Sequence, residues 1–512
     1  MNTTKILNYI HNCRWCDFKT KIENNQVTSL ALEQLPFDNN NKLFVIGEVT
    51  LDDNTKRFFS MPLAIKETPP QKGNFLFLDD GYYYTDATIE PDFWQSFTQL
   101  MRENNGKITF PNGWSLESTT IYNSKDMLQE HKDETSKALG VEQSNTTLKI
   151  GDGKLAFKLE RMLEFSPDIN SEFEMNEKLM REEATFMPQT YGGLIWRTPD
   201  GVEASGGVIQ EFVPNKGDMW NYLKSILQEK LRINYLIQRD ITAYDNPEFM
   251  GLIRTLSKRT KEMNECLSRP DKREEFTPQL PDEKFINTYE KNLQVLLYQT
   301  KRDIIEKLAD LPADTKEKAQ DLIMHWEEYT HEFISPKLKA IREGKSTTLT
   351  HRVHGDFHLG QVMVTPDNDL RFIDFAGEPA LPMRERKQKY ISVRDIAGMY
   401  RSIKGYLGAV AVEDYTSNAP NQEIKEERKK WGLEAIKPLI NEASREFLGD
   451  HKLSDPWLSL EILRKNLYEV KYEVTSRPNY AYIPINGLAD LFNKPSHDHA
   501  NQNIYTPNYN VM

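Results

Sequence analysis

Cysteine is scarce in this chain, and the little that is present does not build a metal site. The sequence of 512 residues contains only Cys13, Cys16 and Cys266. Cys13 and Cys16 form a single C-x-x-C pair, whereas a four-thiolate zinc site needs a second pair. The Asn-rich flank does not supply the βαβ unit that surrounds a redox C-x-x-C motif. We therefore expect ordinary, semi-buried thiols.

Long apolar runs and an excess of basic residues are also missing. No stretch approaches the roughly 20 apolar residues that a membrane-spanning helix needs, and the first fifteen residues lack the pattern of a signal peptide. Lys and Arg number 65 against 77 Asp and Glu, a net charge of −12, which argues against a nucleic-acid partner. We expect a soluble, cytoplasmic protein, a monomer or weak oligomer, with neither membrane nor nucleic acid as a partner.

The first part of the chain has the pattern of a small α+β unit. Its 512 residues suggest two or three domains. Residues 1–130 show strand patterns, as at 43–50 and 57–65, and a helical pattern at 91–103. We predict that they form an N-terminal cap domain. Residues 131–217, a second predicted domain, show strand, hairpin, helix, strand and connector in that order.

The remainder of the chain is predominantly helical. Residues 218–492 are predicted to form one helical lobe, and residues 493–512 a flexible tail, because the tail has no apolar periodicity. The predicted helices of this lobe are 219–238, 251–267, 282–311, 315–343, 392–407, 421–446 and 457–475. The overall fold class that we predict is α+β.

Between two of these helices lies the stretch H-G-D-F-H-L-G-Q-V-M-V-T-P-D-N-D-L-R-F-I-D, residues 354–374. Its runs 361–365 and 370–375, joined by a turn, predict a β-hairpin. Such a hairpin would bring Asp374 beside Gln361. Phosphoryl transfer needs one carboxylate to accept the proton of an attacking hydroxyl and oxygen ligands for Mg²⁺. We therefore predict Asp356 as the catalytic base, with Gln361 and Asp374 as the metal ligands.

Two other interpretations of this stretch remain open. His354 and His358 are four residues apart, a spacing that suits zinc on a helix, but Gly355 separates them and the glutamate of H-E-x-x-H is missing. The D-x-H of Asp356 and His358 could be the first ligands of a two-metal phosphoesterase site. Such a site needs further Asp, Asn and His ligands, and the sequence downstream does not contain them in the required motifs. We expect both histidines to support the loop by hydrogen bonds.

Residues 142–213 contain groups that could bind phosphates and adenine. Lys158 ends a strand pattern, where it could reach phosphates, with Glu174 as its first expected partner and Glu172 as its second. The alternative is that Lys158 is one more exposed strand lysine. The segment 142–147 contains no G-x-G-x-x-G, but its hydroxyls and amides could cover phosphates; it is otherwise a polar turn. Residues 210–213 would be the connector whose backbone binds adenine.

A helix near the C-terminus presents three polar groups on one face. Lys465, Tyr468 and Tyr472 are spaced i, i+3 and i+7. Tyrosine rings could stack on sugar faces while the hydroxyls and the ammonium bind sugar hydroxyls. The alternative, in which each tyrosine ring packs in the core with its hydroxyl at the rim, stays open.

Together these segments resemble the bacterial maltokinases, within the superfamily of aminoglycoside phosphotransferases and protein kinases. The resemblance covers nearly the whole chain in register. It rests on Arg14-Trp15 and Lys19, E-Q-S-N-T at 142–146, N-S-E-F-E at 170–174, Q-E-F-V-P-N-K-G-D at 210–218, H-G-D-F-H-L-G-Q at 354–361, I-D-F-A-G-E-P-A at 373–380, R-D-I-A-G-M at 394–399 with Arg401-Ser402, and Y-E-V-K-Y-E-V-T-S-R-P at 468–478 with Ile483-Pro484.

The resemblance implies a cap domain followed by a bilobal, protein-kinase-like fold that binds ATP and Mg²⁺ between its lobes. It implies that maltose is phosphorylated at its anomeric hydroxyl to maltose 1-phosphate, for α-glucan (glycogen) synthesis. The implied ATP-binding residues are Gln143, Ser144, Asn145, Thr146, Lys158, Glu174, Gln210 and Phe212. The implied sugar-binding residues are Asp356, Lys465, Tyr468 and Tyr472, and His354, His358 and Glu378 are expected to support the site.

The chain also departs from the family pattern in places that touch the acceptor. Where the family has F-G-G near its N-terminus, this chain has Cys16-Asp17-Phe18. Where the family has E-G-E-P, this chain has A-G-E-P at 376–379, so that Ala376 replaces the first glutamate. A histidine that the family often carries in a mid-chain helix is Asn264 here. Related enzymes with similar motifs phosphorylate glucosamine. The alternatives are therefore a kinase for another sugar, such as glucosamine or trehalose, a phosphotransferase for aminoglycosides, and a degenerate kinase that binds nucleotide or sugar as a regulatory module.

Overall fold

The structure is a computed structural model that describes residues 1–492, except residue 14 and the segments 71–74, 122–125, 140–144, 167–170 and 379–380. The predicted tail at 493–512 lies outside the described residues. Helices are α1 Thr3–Asn12, α2 Lys19–Glu23, α3 Phe93–Glu103, α4 Met127–Glu130, α5 Ser171–Arg181, α6 Met219–Tyr235, α7 Pro247–Leu267, α8 Glu283–Lys307, α9 Ala313–Met324, α10 Trp326–Arg342, α11 Met383–Arg386, α12 Arg394–Arg401, α13 Gly408–Thr416, α14 Gln422–Leu448, α15 Pro456–Ser476 and α16 Tyr482–Phe492.

Most strands lie in the first half of the chain. They are β1 Val27–Phe37, β2 Lys42–Leu51, β3 Lys56–Lys66, β4 Phe75–Asp79, β5 Tyr82–Asp86, β6 Lys107–Thr109, β7 Ser115–Thr120, β8 Ser136–Ala138, β9 Asn145–Ile150, β10 Leu155–Glu160, β11 Met162–Leu163, β12 Thr190–Arg197, β13 Glu203–Glu211, β14 Thr350–His351, β15 Val362–Val364, β16 Leu370–Phe372 and β17 Tyr390–Ile391.

The chain divides into two compact units, which we call unit 1 and unit 2. Unit 1 comprises Met1–Pro214 together with Glu378–Lys387, and unit 2 comprises Asn215–Gly377 and the chain from Gln388 onward. The predicted connector boundary at residue 217 lies three residues from the division at Pro214. The short segment Glu378–Lys387 follows the hairpin in sequence but belongs to unit 1. The sequence does not predict this assignment.

The described part of unit 1 contains two antiparallel sheets. The first has the order β1-β2-β3-β5-β4, with β11 added to β3, and the second has the order β6-β7-β12-β13-β10-β9-β8. The β2–β3 turn contains Asn54 at φ 62°, a left-handed conformation that Asn tolerates better than most residues. The boundary predicted at residue 130 falls inside unit 1, because β6 and β7 belong to the same sheet as β9 and β10.

The two sheets share one hydrophobic core. Phe44 of β2 and Trp196 of β12 meet edge to face with ring centroids 5.7 Å apart, and Phe97 of α3 stacks on Phe157 of β10 at 5.9 Å. All four side chains are buried in one cluster. Removing a ring of this kind from a core costs about 3–5 kcal/mol. The strand that bears Lys158 is therefore supported by residues of the predicted cap.

Unit 2 is built around α15. Asp455 caps this helix by accepting a hydrogen bond from the N–H of Leu458, and Pro456 occupies its first turn, as helix N-termini favour. The helix packs against α8, α12 and α16, burying residues such as Trp457 and Leu467. The helix predicted at 315–343 is wrong in one respect, because the chain breaks at His325 between α9 and α10. None of the helices described here is long and apolar enough for a membrane span.

Candidate active site

The hairpin predicted at 361–375 forms and brings the two predicted metal ligands together. Strands β15 and β16 pair with Val362 opposite Phe372, and the N–H of Ile373 donates to the carbonyl of Gln361 at 3.0 Å. As a result, Nε2 of Gln361 lies 3.3 Å from Oδ2 of Asp374. Asp374 adopts φ 67°, a conformation that non-glycine residues take rarely and that often marks a functional position.

The loop that carries Asp356 is fixed by a buried carboxylate. Asp395 of α12 is 1% exposed, and its two oxygens accept the backbone N–H groups of His354 at 2.8 Å and Gly355 at 2.9 Å. Hydrogen bonds to an ionised acceptor are stronger than neutral ones. The side chain of Asp356 itself remains 20% exposed, so the loop is held rigid while the predicted base stays accessible.

Both histidines of the loop make hydrogen bonds to backbone groups. The Nε2 of His354 donates to the carbonyl of Ile373 at 3.0 Å, and its ring lies 4.7 Å from that of Phe375. Nδ1 of His358 accepts the N–H of Gly360 at 3.0 Å, while its Nε2 lies 3.8 Å from Asp356. Burial lowers the pKa of His358 against the opposing charge of Asp356, which keeps the imidazole neutral and its Nδ1 an acceptor.

A stretch of π-helix supports the far end of the catalytic loop. Residues Ser402–Leu407 are π-helical, a rare geometry that is frequent at functional sites. Oγ of Ser402 accepts the N–H of Leu359 at 3.2 Å. The preceding residue, Arg401, is buried and pairs with Glu469 of α15 at 2.7 Å. One helical segment thus holds both the catalytic loop and the helix that bears the predicted sugar ligands.

Lys158 is held by a buried carboxylate, but not by the one that we predicted first. Its Nζ lies 3.3 Å from Oε2 of Glu172 and 3.8 Å from Glu160. Glu174 instead forms an ion pair with Lys387 at 2.8 Å. Residues two apart on a helix point about 200° away from each other, so only one of the two glutamates can face the Lys158 strand. Glu172, our second choice, is therefore an observed partner of Lys158.

The predicted phosphate-covering segment lies largely outside the described residues, including Gln143 and Ser144. Asn145 and Thr146 open β9, where successive side chains face opposite sides of the sheet. Oγ1 of Thr146 accepts a hydrogen bond from Nε of Arg161 at 2.8 Å. Arg161 is 1% exposed and pairs with Asp86 at 2.6 Å. The hydroxyl of Thr146 is thus tied to β5 of the predicted cap.

The predicted connector begins in the sheet. Gln210 lies opposite Ala156 of β10, and the N–H of Phe212 donates to the carbonyl of Lys154 at 3.0 Å, so that donor is already used within unit 1. The following residues, in unit 2, pair with the catalytic hairpin, because the N–H of Lys216 donates to the carbonyl of Val364 at 2.8 Å. Glu378 is buried and belongs to unit 1.

The three predicted sugar ligands lie on α15. Nζ of Lys465 is 5.2 Å from the ring centroid of Tyr468, and the charge of Lys465 contributes to the lowered pKa of His358. Tyr468 is half-buried, and Tyr472 is 47% exposed with the guanidinium of Arg477 5.2 Å from its ring. The face is polar and accessible, unlike the buried leucine stripe beside it.

The donor set around the hairpin fits Mg²⁺. This ion commonly takes one or two carboxylates from the protein and the rest of its ligands from phosphates and water. Asp374 offers a carboxylate and Gln361 an amide oxygen, once the amide turns its oxygen toward the ion. The described residues include no cluster of three or more His, Cys, Asp or Glu that could hold a metal.

Comparison with known proteins leads to glucosamine kinases. No protein-family model matches the sequence. The glucosamine kinase of Streptacidiphilus jiangxiensis is 29% identical over 141 residues, which span 27% of this chain and 31% of that protein. The chain thus matches less than a third of that relative's length.

Solved structures of glucosamine kinases are similar over most of the chain. One, in complex with glucosamine, ADP and inorganic phosphate, is 17% identical, covers 90% of this chain and 94% of its own, and has a TM-score of 0.54. A second, crystal form B, is 16% identical and covers 91% of this chain and 95% of its own, with a TM-score of 0.54. At these identities the likeness shows that the chain shares their fold.

Proposed function

We propose that this protein is an ATP-dependent sugar kinase. The observation that carries the proposal is the hairpin of β15 and β16, which sets Nε2 of Gln361 3.3 Å from Oδ2 of Asp374. The loop that precedes it holds Asp356, whose side chain is 20% exposed. The shared fold and the partial sequence match with glucosamine kinases support the same reaction class.

In this proposal each group has one task. Asp356 orients the sugar hydroxyl and accepts its proton as the oxygen attacks the γ-phosphorus of ATP, with ADP as the leaving group. Lys158, held by Glu172, binds phosphate oxygens. Gln361 and Asp374 would hold Mg²⁺, which neutralises charge on the phosphates when bound.

The charges on α15 favour a neutral acceptor sugar. Its three buried glutamates are each paired with an arginine, at distances from 2.5 to 2.7 Å; the pairs are Glu461–Arg464, Glu469–Arg401 and Glu473–Arg477. Lys465 adds a cation to the same helix. A protonated amino sugar would be repelled by Lys465, whereas the hydroxyls of maltose could accept its hydrogen bonds. We therefore propose maltose as the acceptor and maltose 1-phosphate as the product, as the motif resemblance implies.

Glucosamine is the second candidate, because a protein that matches 27% of this chain is a glucosamine kinase and a glucosamine kinase bound to glucosamine and ADP shares its fold. The test is to incubate the purified protein with Mg-ATP and, separately, maltose, trehalose, glucose, glucosamine and kanamycin, measuring ADP release and identifying products by ³¹P NMR. An anomeric phosphate formed from maltose supports the full proposal. Turnover of glucosamine instead keeps the kinase and rejects maltose. Binding of ATP without turnover of any sugar favours a degenerate, regulatory kinase.

A further inference from the structure

A short segment after the metal-binding hairpin is built into the other unit. The chain leaves unit 2 after Gly377, contributes Glu378–Lys387 to unit 1, and returns to unit 2 at Gln388. Its described part from Leu381 to Lys387, which we call the strap, contains the single-turn helix α11 and reads L-P-M-R-E-R-K. The strap begins only seven residues after Asp374.

One end of the strap is anchored on Glu164, the residue that follows β11. The N–H of Met383 donates to Oε1 of Glu164 at 3.0 Å, and Nη2 of Arg386 lies 3.0 Å from Oε2. Nε of Arg386 also donates to the carbonyl of Leu381 at 2.6 Å. One carboxylate thus receives both a backbone and a side-chain donor, which fixes the path of the strap on unit 1.

The other end of the strap reaches helix α5. Nζ of Lys387 lies 2.8 Å from Oε1 of Glu174, and the two side chains are only 16% and 12% exposed. An ion pair that is largely shielded from water is screened less than a surface pair. Two residues earlier on the same helix, Glu172 is 3% exposed and contacts Lys158. On helix α5, Glu172 and Glu174 therefore lie on opposite faces, and each is bound to a lysine.

We propose that Lys387 is a positioning residue that holds helix α5, through Glu174, in the orientation that lets Glu172 fix Lys158 for the phosphates of ATP. This inference rests on the proposed kinase function. Loss of the Lys387–Glu174 ion pair would leave every group that would touch ATP in place. It would remove one contact that holds helix α5, the helix whose Glu172 orients Lys158.

The experiment measures binding of the non-hydrolysable ATP analogue AMP-PNP, with Mg²⁺, by calorimetry, so that it does not depend on the acceptor sugar. K387M is expected to weaken binding about tenfold, within the range for mutations that act through a coupled element. K387R, which keeps the charge, should bind within about twofold of the unchanged protein. The charge swap K387E/E174K should bind more tightly than K387E alone, because it restores an attractive pair.

The route through Glu172 is tested by a double-mutant cycle. If Lys387 acts through helix α5, K387M should weaken binding by less than about twofold in an E172Q background, where the link to Lys158 is already broken. The matched control is R181M, which removes the exposed Arg181–Glu177 pair of the same helix and should leave binding unchanged. Thermal unfolding of each variant shows whether the fold is retained.

The outcomes separate this inference from the proposed function. Failure of the unchanged protein to bind AMP-PNP would reject the kinase proposal and this inference with it. Three other outcomes would overturn the positioning role alone and leave the kinase proposal standing. They are normal AMP-PNP binding by K387M, an equal loss of binding from K387M with and without E172Q, and a charge swap that binds no more tightly than K387E.

Discussion

Asp395 accepts the backbone N–H of His354 at 2.8 Å and, through its other oxygen, that of Gly355, so one buried carboxylate fixes the loop on which the proposed base stands. Asp395→Asn keeps one acceptor but turns an NH₂ group toward the second N–H. We expect a loss of about 2–3 kcal/mol in the free energy of unfolding and a larger proportional loss in kcat than in ATP affinity. Urea unfolding and steady-state kinetics measure both.

The control for this variant is Asp450→Asn, at an exposed position of the same unit. It should change neither quantity. Full activity and stability in Asp395→Asn would show that the loop is held by its other contacts, such as that of Ser402 with Leu359.

The turn of the catalytic hairpin is held by Arg259 of α7. Its guanidinium makes two hydrogen bonds to the carboxylate of Asp369, at 2.9 and 2.5 Å. Burial alone would raise the pKa of Asp369, but the hydrogen bonds from Arg259 and Arg371 hold it well below its ordinary value. Arg259→Leu should lower the free energy of unfolding at pH 7 by about 2 kcal/mol, between the values for exposed and buried pairs.

The pH dependence of that loss has a definite sign. Because the folded-state pKa of Asp369 is depressed, its contribution is complete above the unfolded value of about 3.9 and is lost as the pH falls toward the folded pKa. The difference between the unchanged protein and Arg259→Leu should therefore shrink below about pH 4. Lys258→Leu, at an exposed neighbour on the same helix, is the control. A difference that stays constant with pH would contradict the assignment.

The ion pair between Arg161 and Asp86 joins the predicted cap to the start of β9. Asp86→Asn leaves a guanidinium that is 1% exposed without its charge partner, and breaking a buried pair of this kind costs about 3–5 kcal/mol. We also expect weaker nucleotide binding, because Arg161 holds Thr146 at the edge of the predicted phosphate segment. Thermal unfolding and AMP-PNP binding test the two effects, with Asp80→Asn at an exposed turn as the control. An unchanged melting temperature would reject this account of the cap.

Tyr468 of α15 is predicted to bind the acceptor and not the nucleotide. Tyr468→Ala should raise the KM for the sugar about tenfold, the scale of a lost aromatic contact, while the KM for ATP changes by less than about twofold. Steady-state kinetics with each substrate varied in turn measure the split. Equal effects on both constants would return Tyr468 to a packing role.

The sequence predicts the catalytic hairpin well because its signals are local: two apolar runs separated by a Pro-Asp-Asn-Asp turn, with Asn368 at φ 63°. It also predicts the strand that ends near Lys158. It ranks Glu174 before Glu172, whose carboxylate lies 3.3 Å from Lys158. The rotation of α5 depends on packing against β12 and the strap, which spacing along the chain does not encode.

Helix α1, strand β12 and the role of Asp395 were not predicted from the sequence, because their local signals are weak. Helix α1 is polar in composition and is stabilised by the cap of Asn2 and the burial of Ile6 and Ile10, which are weak local signals. Strand β12 contains Gly192-Gly193, which disfavours a strand until close neighbours require it: a Cβ at Gly192 would lie 2.1 Å from the carbonyl oxygen of Thr119. The role of Asp395 could not be found from its spacing, since it lies about forty residues from the loop it holds.

The most direct test of the central claim is a comparison of Asp356→Asn with the unchanged protein, measuring kcat on the sugar that is turned over and AMP-PNP affinity on the same preparations. We expect a loss of about a thousandfold in kcat, the scale of a missing general base, with nucleotide affinity within about threefold of the unchanged protein. Turnover that survives in Asp356→Asn would contradict the role of Asp356 and with it the proposed site.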